Sequence, residues 1–237
     1  NWEKILYIDE NTGATDLDID PRNPEVVYAV MWSHRRQPWT FDSGFTGGSG
    51  VYKSTNGGKD WNPIQNGLPD EKLGRMAIGV APSNPDVIYL SVECKSADKK
   101  GLYLSTDAGQ NWEKERNDFN TTVRPFYFSN ITVDPTNDSI VMKSGFQGII
   151  SEDRGSVFRM IGNSVHSDIH DIWIDPTNNK HILVATDGGI YESIDHGRTT
   201  KMWMNLPVSQ FYHVSVDNAT PFNVYGGLQD NGSWVGP

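Results

Sequence analysis

One turn motif is written four times along this chain, and near-constant spacing of a turn means one supersecondary unit used repeatedly. Ser54-Thr55-Asn56-Gly57-Gly58-Lys59-Asp60-Trp61 and Ser105-Thr106-Asp107-Ala108-Gly109-Gln110-Asn111-Trp112 share the pattern S-x-[DN]-x-G-x-x-W. Ser151-Glu152-Asp153-Arg154-Gly155-Ser156-Val157-Phe158 keeps it with Phe in place of Trp, and Ser193-Ile194-Asp195-His196-Gly197-Arg198 keeps it without the aromatic. The four serines lie 51, 46 and 42 residues apart, about the length of a four-stranded unit.

A second marker repeats in phase with the first. Asp20-Pro21-Arg22-Asn23-Pro24, Ala81-Pro82-Ser83-Asn84-Pro85, Asp134-Pro135-Thr136-Asn137 and Asp175-Pro176-Thr177-Asn178 each lie between a pair of β-like runs, with a degenerate fifth copy at Asp217-Asn218-Ala219-Thr220-Pro221. Proline presets φ and Asp or Asn tolerates left-handed backbone, so each reads as a tight turn. The runs before these turns alternate: Leu17 and Ile19, Ile78 and Val80, Ile131 and Val133, Ile172 and Ile174, Val214 and Val216. Period two marks strands with a buried face. Each unit therefore reads as inner strand, Asp-Pro turn, second strand, third strand, Ser-Asp turn, outer strand. The expected fold is an all-β propeller with about four complete four-stranded blades and split terminal strands. The blades fall at about 13–66, 74–116, 127–162, 168–205 and 210–237, with 1–9 as an outer strand of a preceding or closing blade.

These residues and spacings resemble the Asp-box (BNR) repeat family, over nearly the whole chain. That superfamily holds sialidases, xyloglucanase-type glycoside hydrolases, sortilin-type receptors and photosystem assembly factors. With Ala185-Thr186-Asp187-Gly188-Gly189-Ile190-Tyr191 and Gly226-Gly227-Leu228-Gln229-Asp230-Asn231-Gly232, the chain is most similar to large bacterial sortilin-like repeat proteins. The resemblance implies an extracellular, cell-surface or periplasmic setting and other domains of a parent chain as partners. The chain lacks the Arg-Ile-Pro signature of sialidases.

Charge and composition narrow the classes. A formal net charge of −10 argues against nucleic acid, since phosphate contacts draw on excess Lys and Arg. It suits a cation, a neutral sugar or a basic partner equally well. A single cysteine, Cys94, leaves no internal disulfide framework and no multi-cysteine zinc site. No apolar run reaches the roughly 18 residues of a membrane span. No phosphate loop, dinucleotide motif or Ser-His-Asp order is present, and no cofactor is expected.

The chain opens on Asn1-Trp2-Glu3-Lys4, which matches the end of the second turn motif, Asn111-Trp112-Glu113-Lys114. Either Trp2–Ile8 completes the last blade of a five-bladed ring, or the chain is a piece of a larger ring; the second is expected.

Chain direction separates the two faces of such a ring. Asp-Pro turns and Ser-Asp turns share the bottom, where their role is structural, while the connections between second and third strands lie at the top. The top collects the unusual chemistry. Ser33-His34-Arg35-Arg36-Gln37-Pro38-Trp39-Thr40-Phe41-Asp42 reads either as a binding loop through Arg35, Arg36 and Trp39 or as a cover over a neighbouring blade. His166, Asp168 and His170 alternate on the way into the fourth inner strand, a weak metal-ligand pattern that also suits plain backbone bonding. Asp16, Ala77, Asn130, Asp171 and His213 occupy equivalent positions near the upper channel mouth. Asp187 resembles the carboxylate of the Thr-Asp-x-Gly-Gly stretch of xyloglucanase-type hydrolases, with one residue fewer; as a local feature Asp-Gly is a hairpin turn, as is Asp230-Asn231-Gly232.

Two functions follow. One is a non-catalytic binding module whose top face recognises a glycan, peptide or partner domain through Arg35, Arg36, Trp39, His166, His170, His213, Gln229 and Asp230. The other is a glycoside hydrolase pairing Asp187 with Asp171 or Asp16, which requires carboxyls about 5–10 Å apart. A scaffold role in a surface or secretion assembly is a third.

Overall fold

Each repeat folds as an antiparallel meander because two tight turns and one hairpin reverse a chain whose side chains alternate in burial. The computed structural model describes residues 2–35, 37–39, 44, 47–116, 119–123, 127, 129–206 and 208–237. The first sheet holds β1 (Thr12–Ile19), β2 (Val27–Ser33), β3 (Gly50–Ser54) and β4 (Asn62–Pro63). The second holds β5 (Leu73–Val80), β6 (Ile88–Cys94), β7 (Gly101–Ser105) and β8 (Glu113–Arg116). A single helical turn, Phe119–Thr122, leads to the third, with β9 (Ile131–Val133), β10 (Val141–Lys143), β11 (Ile149–Ser151) and β12 (Arg159–Met160). The fourth holds β13 (Ile169–Ile174), β14 (Ile182–Thr186), β15 (Gly189–Ser193) and β16 (Lys201–Met202). The fifth has three strands, β17 (Phe211–Val216), β18 (Val224–Leu228) and β19 (Ser233–Gly236). Residues 2–9, expected as an outer strand, carry no strand; Ile5 instead lies near Gly58 of the first Ser-Asp turn.

The four Ser-Asp turns share one hydrogen-bond pattern. Each serine Oγ donates to the Asn or Asp two residues on: Ser54 to Asn56 (3.0 Å), Ser105 to Asp107 (2.8 Å), Ser151 to Asp153 (2.7 Å) and Ser193 to Asp195 (2.8 Å). The same hydroxyls accept the N–H of Gly58, Gly109, Gly155 and Gly197 at 2.8 to 2.9 Å. The residue before each of these glycines is left-handed, and it need not be glycine: Gly57, Ala108, Arg154 and His196 have φ of 69°, 58°, 62° and 59°. The polar network overrides the usual reluctance of a side chain to enter that region. The fourth turn, with no aromatic, is built like the others.

Successive residues of an inner strand face opposite neighbours, which sets how the sheets stack. Asp16 and Asp18 of β1 reach forward to accept the N–H of Ile78 (2.9 Å) and Val80 (2.7 Å) on β5. Asn130, just before β9, and Thr132 within it reach forward to donate to the carbonyls of His170 (3.0 Å) and Ile172 (2.9 Å) on β13. The alternate residues, Ile78, Val80, Val133, Ile172 and Ile174, face rearward and are buried. Those two pairs of inner strands are thus stitched by side chains rather than by a backbone ladder, while Ala77 and Gly79 of β5 leave that junction to apolar packing, and the core lies between consecutive sheets. Tyr28, Val30 and Val51 of the first sheet pack on Ile78, Ile88 and Leu90 of the second. Tyr89 and Leu102 face Val133 and Val141, and Met142 and Ile150 face Ile172 and Ile182.

The junction between the fourth and fifth sheets departs from this rule. Rear-facing Val214 and Val216 are 59% and 61% exposed, and Trp173, at the forward position of Asp18 and Thr132, is 46% exposed. The second sheet has Gly79 at that position, where Ile131 comes so close that a Cβ would lie 2.7 Å from it. The fourth sheet has the Trp173 indole at that position, set edge-on to His181 at 5.9 Å.

Candidate functional site

The half-open junction leaves a cleft of about 580 Å³ at the top of the fourth and fifth sheets. One wall is the β14–β15 hairpin, with Thr186, Asp187, Gly188 and Gly189; the other is the β18–β19 hairpin, with Gln229, Asp230 and Asn231. Val208, Ser209 and Gln210 floor it on the way into β17, and Tyr127 stands at its edge. The two hairpins touch there, Asn231 Nδ2 donating to the carbonyl oxygen of Asp187 (3.2 Å), while within the fifth blade the Gln229 N–H donates to Gln210 O (3.0 Å). Asp230 has φ of 56°, the left-handed backbone its Asp-Asn-Gly turn requires.

A β-bulge supplies the central contact. Ile169 pairs with Thr186 and Asp171 pairs with Ala185, so His170 is the extra residue on β13. A bulge re-aims a side chain, and here His170 Nε2 meets Asp187 Oδ1 at 2.6 Å. Tyr127 stands edge-on to the His170 ring at 5.9 Å. The Asp187 N–H donates to the carbonyl of Asp168 (3.2 Å), itself left-handed with φ of 61°. Thr186 Oγ1 accepts the Gly188 N–H (3.0 Å) and donates to Gly189 O (3.0 Å), closing the hairpin. The site therefore presents a carboxylate already engaged by an imidazole, a second carboxylate on a turn tip, and side-chain amides. That arrangement has the chemistry to orient and bind polar groups.

Comparison with known proteins places the architecture. No protein-family model and no curated protein matches the chain. Solved structures do match. An ancestral GH74 enzyme aligns with 97% of this chain and 32% of its own length, at 16% identity and a TM-score of 0.57. YCF48 bound to D1 peptide aligns with 97% of this chain and 67% of its own, at 8% identity and a TM-score of 0.56. The nidogen/laminin complex contains a chain aligned over 95% of this one and 75% of its own, at 12% identity and a TM-score of 0.56. The chain folds as a β-propeller. It spans about a third of the GH74 enzyme, and at these identities the fold is what is shared.

Within the propeller, three of the residues expected from sequence line one cleft: Asp187, Gln229 and Asp230. His170 joins them through Asp187. His166 packs its ring against Gly188 on the far side of the same hairpin, and its Nδ1 lies 2.8 Å from Ser167 O. His166, Asp168 and His170 thus diverge rather than converge, and among the described residues no three His, Cys, Asp or Glu are placed to hold a metal ion.

The other candidates lie elsewhere. Asp16 stitches the first two blades: its Oδ1 accepts the Leu17 N–H (3.0 Å) and its Oδ2 the Ile78 N–H. Burial raises its pKa, and those two amides and Arg75 hold the rise in check. Asp171 is exposed and turns back to accept the Ile172 N–H (2.9 Å). His213 stands exposed on β17 beside Tyr212, their rings 5.3 Å apart. Arg35 and Trp39 are exposed on the first blade's long connection, and Arg36 falls outside the described residues.

Sequence reasoning passed over Tyr127, Gln210 and Asn231, whose place in the cleft depends on how two hairpins meet. It also passed over Lys143, although that signal is local: it stands where the other second strands have Ala29, Leu90, Val184 and Gly226. Its buried ammonium donates to Ser129 Oγ (3.1 Å) and Ser144 O (3.2 Å).

Proposed function

We propose that this chain is a non-catalytic Asp-box propeller module of a larger extracellular or cell-surface bacterial protein. It takes a peptide, glycan or partner domain in the cleft between the fourth and fifth blades. The observation that carries the reading is the state of the carboxylates. Asp187 is engaged by His170, and Asp16 accepts backbone amides on another blade, so Asp187 and Asp16 do not form the carboxylate pair that glycoside hydrolysis needs. A polar, half-open cleft with side-chain amides at its rim is suited to recognition. YCF48 is described bound to D1 peptide, and nidogen in complex with laminin, which supports a protein ligand for this fold.

A hydrolase reading has one observation in its favour: Asp187 and Asp230 line the same cleft in a fold shared with a GH74 enzyme. The two readings separate in one experiment. Screening a glycan and peptide panel should find a ligand whose affinity falls about tenfold or more in Asp230→Ala, the loss of one good polar contact, with no polysaccharide cleavage. Cleavage that disappears in Asp187→Asn overturns the binding reading in favour of hydrolysis.

A further inference from the structure

The walls of the cleft between the fourth and fifth blades spend their hydrogen-bond donors on the protein itself. Asn231 Nδ2 donates twice, to Asp187 O (3.2 Å) and to Gln229 O (3.3 Å). That uses both N–H groups of the amide and leaves its oxygen, which can only accept. The N–H of Asp187 goes to Asp168 O, that of Gly188 to Thr186 Oγ1 and that of Gln229 to Gln210 O. The Thr186 hydroxyl gives its own hydrogen to Gly189 O.

What remains is rich in acceptors and negative charge. Asp187 stands on one wall and Asp230 on the other, and a carboxylate only accepts. His170 uses one oxygen of Asp187, Oδ1, while Asp230 is exposed at its turn tip and takes no part in the bonds that close the walls. Among the described residues no lysine or arginine lines the cleft. A ligand that fits must bring donors and a positive charge, which the formal net charge of −10 also attracts. An anionic group would meet acceptors alone. Sugar hydroxyls would donate, but would gain nothing from the two carboxylates' charge.

Resting on the reading of this cleft as the binding site, the geometry points to its ligand: a peptide that places an arginine side chain between Asp187 and Asp230. A guanidinium is a flat fork of five donors with no acceptor, so one group serves carboxylates on opposed walls. A lysine ammonium is a point charge with three donors and matches that spread less well. Tyr127, half exposed at the edge of the cleft, offers an aromatic ring of the kind on which guanidinium groups stack.

The test uses fluorescein-labelled pentapeptide pools with randomised flanks and a central arginine, citrulline, lysine or glutamate, read by fluorescence anisotropy. Citrulline keeps the shape of arginine and removes its charge. The arginine pool should bind about tenfold or more tightly than the citrulline pool, with lysine between them and glutamate weakest. Asp230→Asn preserves the turn, since Asn tolerates the left-handed backbone found there (φ of 56°), and removes the charge. It should shrink the gap between arginine and citrulline while leaving the citrulline pool unchanged. Equal binding of arginine and citrulline, lysine binding as tightly as arginine, tighter binding of glutamate, or a gap that Asp230→Asn leaves intact overturns the inference. A glycan or neutral peptide that binds wild type and is lost in Asp230→Asn, with no binding of the arginine pool, overturns the inference and keeps the cleft as the binding site. A wild-type chain that binds neither these pools nor any glycan removes both.

Discussion

Lys143 carries the clearest energetic signature of any single residue. Burial pushes its ammonium down to about 7 from 10.5, with Arg75 adding repulsion and Glu93 opposing it. An unfolded chain keeps that proton up to about 10.5, while the folded one releases it near 7. Between those values the unfolded state binds more protons, so stability rises with pH there. The penalty is fully present below pH 7 and is gone above 10.5, a swing of up to a few kcal/mol. Lys143→Met keeps the length of the side chain and removes the charge. Its urea midpoint should exceed wild type at pH 6, with the advantage shrinking by pH 9. An advantage of equal size at both pH values would reject the burial penalty as its source. The hydroxyls of Ser54, Ser105, Ser151 and Ser193 act in the opposite sense: each is buried and satisfies a glycine N–H that would otherwise be unpaired, at about 1–3 kcal/mol.

At the scale of the strand and sheet, alternation explains the three packed junctions, and the bulk of Trp173 is the expected cause of the open one. Gly79, Thr132 and Trp173 hold the same forward position on β5, β9 and β13; Ile131 packs close on Gly79, Thr132 bonds the next inner strand, and Trp173 stands half exposed. Trp173→Thr installs the residue found on β9, whose hydroxyl reaches the next inner strand. The fifth blade should then seat, burying Val214 and Val216 and narrowing the cleft beside Asp187. Hydrogen exchange reads this directly, because amides of β17 gain protection when an edge blade is covered. Slowing of about tenfold at residues 211–216 is expected, and unchanged exchange would show that the indole is not what holds the junction apart. Ligand affinity measured on the same variant then reports whether the cleft works open or closed.

At the scale of the whole molecule, what was legible in the sequence was what is local. Each turn is specified within eight residues, and each strand by its own alternation, so five sheets and their order follow from spacing alone. The partnership of His170 with Asp187 was not legible, because it needs a bulge on β13 that no residue type announces. Nor was the wedge at Trp173, which in sequence is one more aromatic, or the unpaired course of residues 2–9, which depends on a strand to pair with. The bottom face, however, makes a prediction from its repeated chemistry. Asp20, Asp107, Asp138, Asp153, Asp175, Asp195 and Asp217 all sit at or beside its turns with pKa values below the ordinary carboxylate range. Asp195 is lowered to about 2, chiefly by the Thr199 hydroxyl and amide, and Asp217 to about 2, chiefly by Asn223. A depressed folded value means stability that is present above the unfolded value near 3.8 and lost as pH falls through the folded one. The first turn uses Asn56 in the same geometry, accepting the Asp60 N–H at 2.9 Å as Asp195 accepts that of Thr199 at 2.8 Å. An amide therefore fits the turn while lacking the charge. Asp195→Asn should lower the melting temperature at pH 7 and approach wild type as pH falls from 4 towards 2, where the native carboxylate is itself protonated. A gap that stays constant down to pH 2 would mean that the carboxylate acts in the turn by shape alone.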